Sequence, residues 1–225
     1  MIRQIFSILV ASTLLFSCNN SAKPSSNNWE IVYQNALSNK DYSTAVVALN
    51  HLVLSDTTQL AKYYDSLSVF YIKKLRNYEA GQKMTDKGLA LNPNNAQLLE
   101  FKSVFLSAEG NIEAARQNLL KAYELSKKQK HLYMYATTFA TEGNLAEYTK
   151  IVNGILYNPN YQQEMIEVTI DENNSQLIDI KSLCYLDKAK TATNPKLVMS
   201  YIDSSLAISP AYEEALYYKN KLSGK

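Results

Sequence analysis

The 225-residue chain has little cysteine, with Cys18 and Cys184 its only two. Two thiols cannot build a disulfide framework, and with two histidines they leave too few ligands for a zinc site. Six glycines and five prolines are too few for a collagen-like or linker protein. Charge of one sign is also missing. Lys+Arg 23 against Asp+Glu 21 leaves +2, without the basic excess that nucleic acid selects. Tryptophan occurs once, at Trp29, whereas tyrosine occurs 17 times. What is present is ordinary for a folded chain: 46% apolar and 20% charged residues exclude wholesale disorder. The length predicts one domain or two.

The N-terminus reads as an address. Arg3 precedes an apolar stretch over Ile5–Phe16, broken by Ser7, Ser12 and Thr13. Such a stretch spans roughly 18 Å as a helix, short of a ~30 Å hydrocarbon core. It is therefore a signal-peptide core rather than a membrane span. Its end, Leu15-Phe16-Ser17-Cys18, resembles the lipobox of bacterial lipoproteins. The resemblance implies cleavage after residue 17, a thioether-linked diacylglycerol on the Cys18 sulfur, and acylation of the new amine. Asn19–Asn28 is polar and reads as a tether. Asn19 is not the Asp associated with inner-membrane retention in enterobacteria. The tether also lacks the acidic run that resembles a surface-export signal in Bacteroidetes lipoproteins. The expected location is the outer membrane, facing the periplasm.

The remainder, 29–225, repeats itself. The phrases at 39–58, 75–95, 108–128 and 141–161 align, with Gly81/Gly88 and Ala115/Ala122 seven residues apart on one helical face. Asn-Pro or Ser-Pro closes several of them, since proline cannot continue a helix. They resemble the second half of a tetratricopeptide repeat. The preceding stretches fit its first helix: Trp29, Val32, Tyr33, Ala36; Tyr64, Leu67, Ser68, Tyr71; Leu99, Lys102, Ser103, Leu106; and Leu132, Tyr135, Ala136, Phe139. Units run over 26–59, 61–95, 96–129 and 129–162. The second carries an extra residue near Lys74, and the fourth is one short after Gly143. A fifth resumes around 175–212, its first helix expected to hold Leu177, Ile180, Leu183, Cys184 and Tyr185. Ala211–Leu222 reads as a capping helix. Residues 163–176 fall outside the pattern, as a helix turning into a loop or as an insertion. The resemblance implies an all-α solenoid of about five helix pairs and a cap.

No residue set points to catalysis. The chain contains no Gly-x-Ser-x-Gly, phosphate-cradling loop or His-Glu-x-x-His. His51 and His131 read as solvated or capping residues, and Cys184 as a small buried hydrophobe. The run Lys127–Lys130 reads as a solvated loop or as a contact for an acidic partner. The repeat register leaves a concave groove lined by Glu30, Gln34, Lys62, Asp65, Val69, Glu100, Val104, Lys130, Tyr133 and Thr137. That mixture suits a peptide or a partner helix. Tyr63, Tyr133 and Tyr217 are candidate anchors.

The expected function is a non-enzymatic, membrane-anchored scaffold for protein or peptide partners in the bacterial envelope, without a cofactor and without nucleic acid. By architecture it resembles the repeat-containing lipoprotein of the outer-membrane barrel-assembly machine. The alternative is a lipoprotein that binds a glycan or peptide ligand beside an outer-membrane transporter, with Trp29 available for sugar stacking.

Overall fold

A computed structural model describes residues 26–171 and 174–224. The expected signal peptide (1–17), the lipidation site Cys18 and most of the tether lie outside these residues. The first helix already begins within the stretch read as tether.

The helices are α1 (Ser26–Ser38), α2 (Tyr42–Ser55), α3 (Leu60–Val69), α4 (Tyr78–Leu91), α5 (Ala96–Ala108), α6 (Ile112–Ser126), α7 (Gln129–Thr141), α8 (Leu145–Leu156), α9 (Ile180–Thr191), α10 (Pro195–Ile208) and α11 (Glu213–Leu222). They pack as antiparallel pairs, α1 on α2, α3 on α4, α5 on α6, α7 on α8 and α9 on α10. Each pair then leans on the next, and α11 closes the stack against α10. Among the described residues no helix is long and apolar enough to cross a membrane.

One short phrase makes the turns. Lys40, Arg76, Gly110 and Gly143 each adopt a left-handed backbone, with φ of 55, 53, 80 and 78°. The next residue caps the second helix of its pair. Asp41, Asn77, Asn111 and Asn144 accept from the backbone N–H of Thr44, Ala80, Ala114 and Glu147. A left-handed residue reverses the chain, and an Asp or Asn at once satisfies an orphan donor of the new helix.

The small residues work unevenly. A Cβ on Gly81 would lie 2.5 Å from Cγ1 of Ile72, and one on Gly88 2.5 Å from Cδ1 of Leu98. Gly81 thus lets α4 approach the end of α3, and Gly88 lets α5 settle on α4. Gly154 meets nothing within 4 Å. The extra residue of the second unit appears as a π-helical turn, Phe70–Lys74, at the end of α3. A π turn absorbs one residue without breaking the helix.

The irregular segment is an antiparallel β-hairpin, β1 (Met165–Thr169) and β2 (Ser175–Asp179), with Ile166 opposite Ile178. This corrects the placement of Leu177: it lies in β2, two-thirds exposed, and not on the first helix of the fifth pair. Strict alternation over 165–169, with Ile166 and Val168 on one face, selects a strand with one buried side. Ile166 packs against both the α7–α8–α9 cluster and the α9–α10 cluster, and Val168 against the latter.

The hairpin also supplies caps that two helices lack. Lys128 and Tyr212, before α7 and α11, make no side-chain capping bond. Instead the Glu164 carboxylate accepts from the N–H of Gln129 at 2.6 Å, and the Gln176 amide oxygen from the N–H of Glu213 at 3.1 Å. The Gln176 amide nitrogen in turn donates to the Ala211 carbonyl at 2.9 Å.

Candidate interaction groove

The groove residues named from the repeat register meet different fates. Gln34 donates to Glu30 at 2.9 Å along α1. Lys62 is exposed and donates to Gln59. Asp65 is half-buried with one oxygen unpartnered, and burial raises its pKa against the lowering effect of Asn95. Val69 is half-buried where α3 enters the π turn.

Glu100 sits in a charged knot between α5 and α7. One carboxylate oxygen lies 2.6 Å from Nζ of Lys130 and 2.8 Å from Nε2 of His131. Burial pushes its pKa up, but the His131 hydrogen bond and the Lys130 charge outweigh it and hold the carboxyl at about 2. His131 is only 2% exposed, and its Nδ1 lies 2.7 Å from the Ser126 hydroxyl. The expectation of a solvated or capping His131 is therefore corrected: its ring bridges α5 and the end of α6 from within. Lys130, read as part of a solvated run, is likewise bound into this knot.

The named anchors are largely occupied. The Tyr133 hydroxyl donates to Asp187 at 2.8 Å, and Tyr148 donates to the same carboxylate. Burial raises the pKa of Asp187, with the two tyrosine hydrogen bonds working against it. Tyr63 is 3% exposed and donates to Asp56 at 2.8 Å; burial and that carboxylate push it up to about 12. Tyr217 stays exposed on α11. Trp29 stacks on His51, rings 3.8 Å apart and 4° from parallel, so one indole face is already covered. Cys184 is a buried free thiol, its pKa raised by burial and by Asp187.

Val104 and Thr137 are the groove residues that meet at a cleft. They line a cleft of about 270 Å³ with Ser103, Ser107, Ile112, Leu119, Met134, Thr138 and Thr141. Three elements build it: α5, α6 and α7. The Ser103, Thr137 and Thr138 hydroxyls donate to backbone carbonyls of Glu100, Met134 and Tyr135, at 2.6 to 2.7 Å. Their protons are committed; Ser103 and Thr138 are buried and Thr138 already accepts from Arg116, so half-buried Thr137 is the one that offers a lone pair to an incoming N–H donor. Arg116 holds one wall: its Nε donates to Thr138 at 3.1 Å, and its guanidinium lies 4.1 Å from the Phe139 ring centre while pairing with Glu113 and Glu142. No acid, base or thiol lines the cleft, so it is equipped to bind and not to transfer protons. No His, Cys, Asp or Glu group among the described residues is arranged to hold a metal. Met134 and Thr141, three residues before and four after Thr137, were the unread signal for this wall.

No protein-family model and no curated protein sequence matches the chain. Solved structures match it in shape. A tetratricopeptide repeat protein from Parabacteroides merdae aligns with a TM-score of 0.66 at 11% identity, over 89% of this chain and 73% of that one. PilW, described as a widely conserved type IV pilus biogenesis factor, aligns at 0.61 and 13% identity, over 90% and 88%. YrrB, described as a TPR protein with an unusual peptide-binding site, aligns at 0.56 and 16%, over 85% and 90%. The order of its helix pairs and this likeness give the chain the all-α, helical-hairpin fold of tetratricopeptide-repeat proteins.

Proposed function

We propose that this chain is a non-enzymatic scaffold that holds a peptide or helix of a partner protein near a bacterial membrane. The observation that carries the reading is the cleft between α5, α6 and α7, lined by the apolar Val104, Ile112, Leu119 and Met134 together with Ser and Thr hydroxyls that can accept a hydrogen bond. An apolar side chain enters it while neighbouring N–H groups find those acceptors. The repeat fold shared with YrrB, whose peptide-binding site is part of its description, supports an interaction role. The lipobox-like Leu15–Cys18 supports anchoring through Cys18 at the outer membrane, facing the periplasm. A tether raises the partner's effective concentration there without adding a contact.

Photo-crosslinking from position 104 in intact cells tests the binding reading. A discrete crosslinked partner is expected, and it should disappear when Thr137→Lys fills the cleft. Crosslinks that survive Thr137→Lys would refute the cleft. Mass spectrometry of the mature N-terminus tests the anchor separately: an unmodified Cys18 removes the membrane and leaves the cleft standing.

A further inference from the structure

We propose that the outer edge of β1 docks an extended, lysine- or arginine-bearing peptide segment as a third strand. In the hairpin, the N–H of Ile180 donates to Glu164 and the N–H of Ile170 to Asn174. With the register of Ile166 opposite Ile178, even-numbered residues of β1 face β2. The N–H and C=O groups of Met165, Glu167 and Thr169 therefore point away from it, and among the described residues nothing pairs with them. All three residues are exposed.

Such an edge is a template for another strand unless it is blunted. β1 holds no proline and no bulge, and among the described residues it packs chiefly on β2. The ribbon is also firmly mounted. Ile166 and Val168 are packed beneath it, and Gln176 is tied to Ala211 and Glu213. Little ordering remains to be done on binding, which favours affinity. The β2 edge is poorer, since only Ser175 and Leu177 precede Asp179, which is committed to capping α9.

Charge selects the occupant. Glu167 lies on the strand, with Glu164 just before it and Asp171 just after it, and residues 161–175 contain no Lys or Arg. Glu167 accepts from the Ser175 hydroxyl at 2.7 Å and makes no ion pair among the described residues. Arg76 comes near enough to feel its charge without pairing with it. Lys128 and Lys130 flank only the start of β1, and Lys130 is held by Glu100. A second copy of the chain would lay one acidic strand against another, whereas a basic residue lateral to Glu167 completes a cross-strand pair. This surface is separate from the cleft, so either can fail alone.

The probe is an acetylated, amidated peptide alternating lysine and threonine, titrated against the full chain at low salt. Saturable binding is expected, with slowed hydrogen exchange at Met165, Glu167 and Thr169. Glu167→Lys should weaken it at least ~10-fold and Glu167→Gln by less, with circular dichroism unchanged. The same peptide N-methylated at alternate residues should not bind. Equal binding of the N-methylated peptide, indifference to Glu167→Lys, or no binding at all would overturn the proposal. So would protection confined to the cleft, or a concentration-dependent dimer paired at this edge.

Discussion

At the residue scale, Glu100 combines two roles that its position in sequence did not separate. The repeat register assigns it to the groove side of a first helix, yet its carboxylate is consumed by Lys130 and His131. Its folded pKa of about 2 lies below the ordinary 4.5, so its stabilisation is fully present above 4.5 and is lost as pH falls towards 2. Glu100→Gln should cost about 2–3 kcal/mol at pH 7, because it leaves Lys130 without its counter-charge and His131 without a charged hydrogen-bond partner. Urea midpoints of the two proteins should converge as pH falls through that window. The glycines give a paired expectation. Gly81→Ala should destabilise by ~1–3 kcal/mol, since Ile72 cannot easily yield. Gly154→Ala, in open space on α8, should stabilise by ~0.5–1 kcal/mol, read from thermal melts. The spacing of Gly81 and Gly88 was legible as a packing signal. That Gly154 packs against nothing was not, because a glycine's neighbours come from another helix.

At the scale of elements, helix pairs were legible and the hairpin was not. Apolar spacing and the capping Asp or Asn announce each helix from within its own few residues. A strand of five residues with only Ile166 and Val168 turned inward carries a weaker period, and its meaning depends on α7 and α11, far away in sequence. The missing caps at Lys128 and Tyr212 were the available hint. Gln176→Ala should remove both its bond to the N–H of Glu213 and its bond to the Ala211 carbonyl. The expected loss is ~1 kcal/mol, or a melting point ~2–4 °C lower, with faster amide exchange at the start of α11 and unchanged exchange in α2.

For the whole molecule, a stack of pairs behaves as a chain of neighbours, each stabilised by the next. The buried clusters follow that order, one across α1 to α3, one across α7 to α9, and one from β2 to α11. Among the described residues α11 packs against α10, and no further helix pair follows it. Its amides should therefore exchange fastest among the helices α2 to α11, and those of α5 and α6 more slowly, in native-state hydrogen exchange. The fold at this scale was readable because repetition multiplies a faint signal. The cleft was half readable: Val104 and Thr137 follow from register, but its other walls depend on how far α6 stands between α5 and α7.

The two borrowed caps link places that the stack otherwise keeps apart. Glu164 stands at the root of the ribbon and Gln176 near its turn, and each holds the first turn of a different helix. A pull on that ribbon is felt in the same instant at the heads of α7 and α11, so mechanical force entering at a single loop leaves through two.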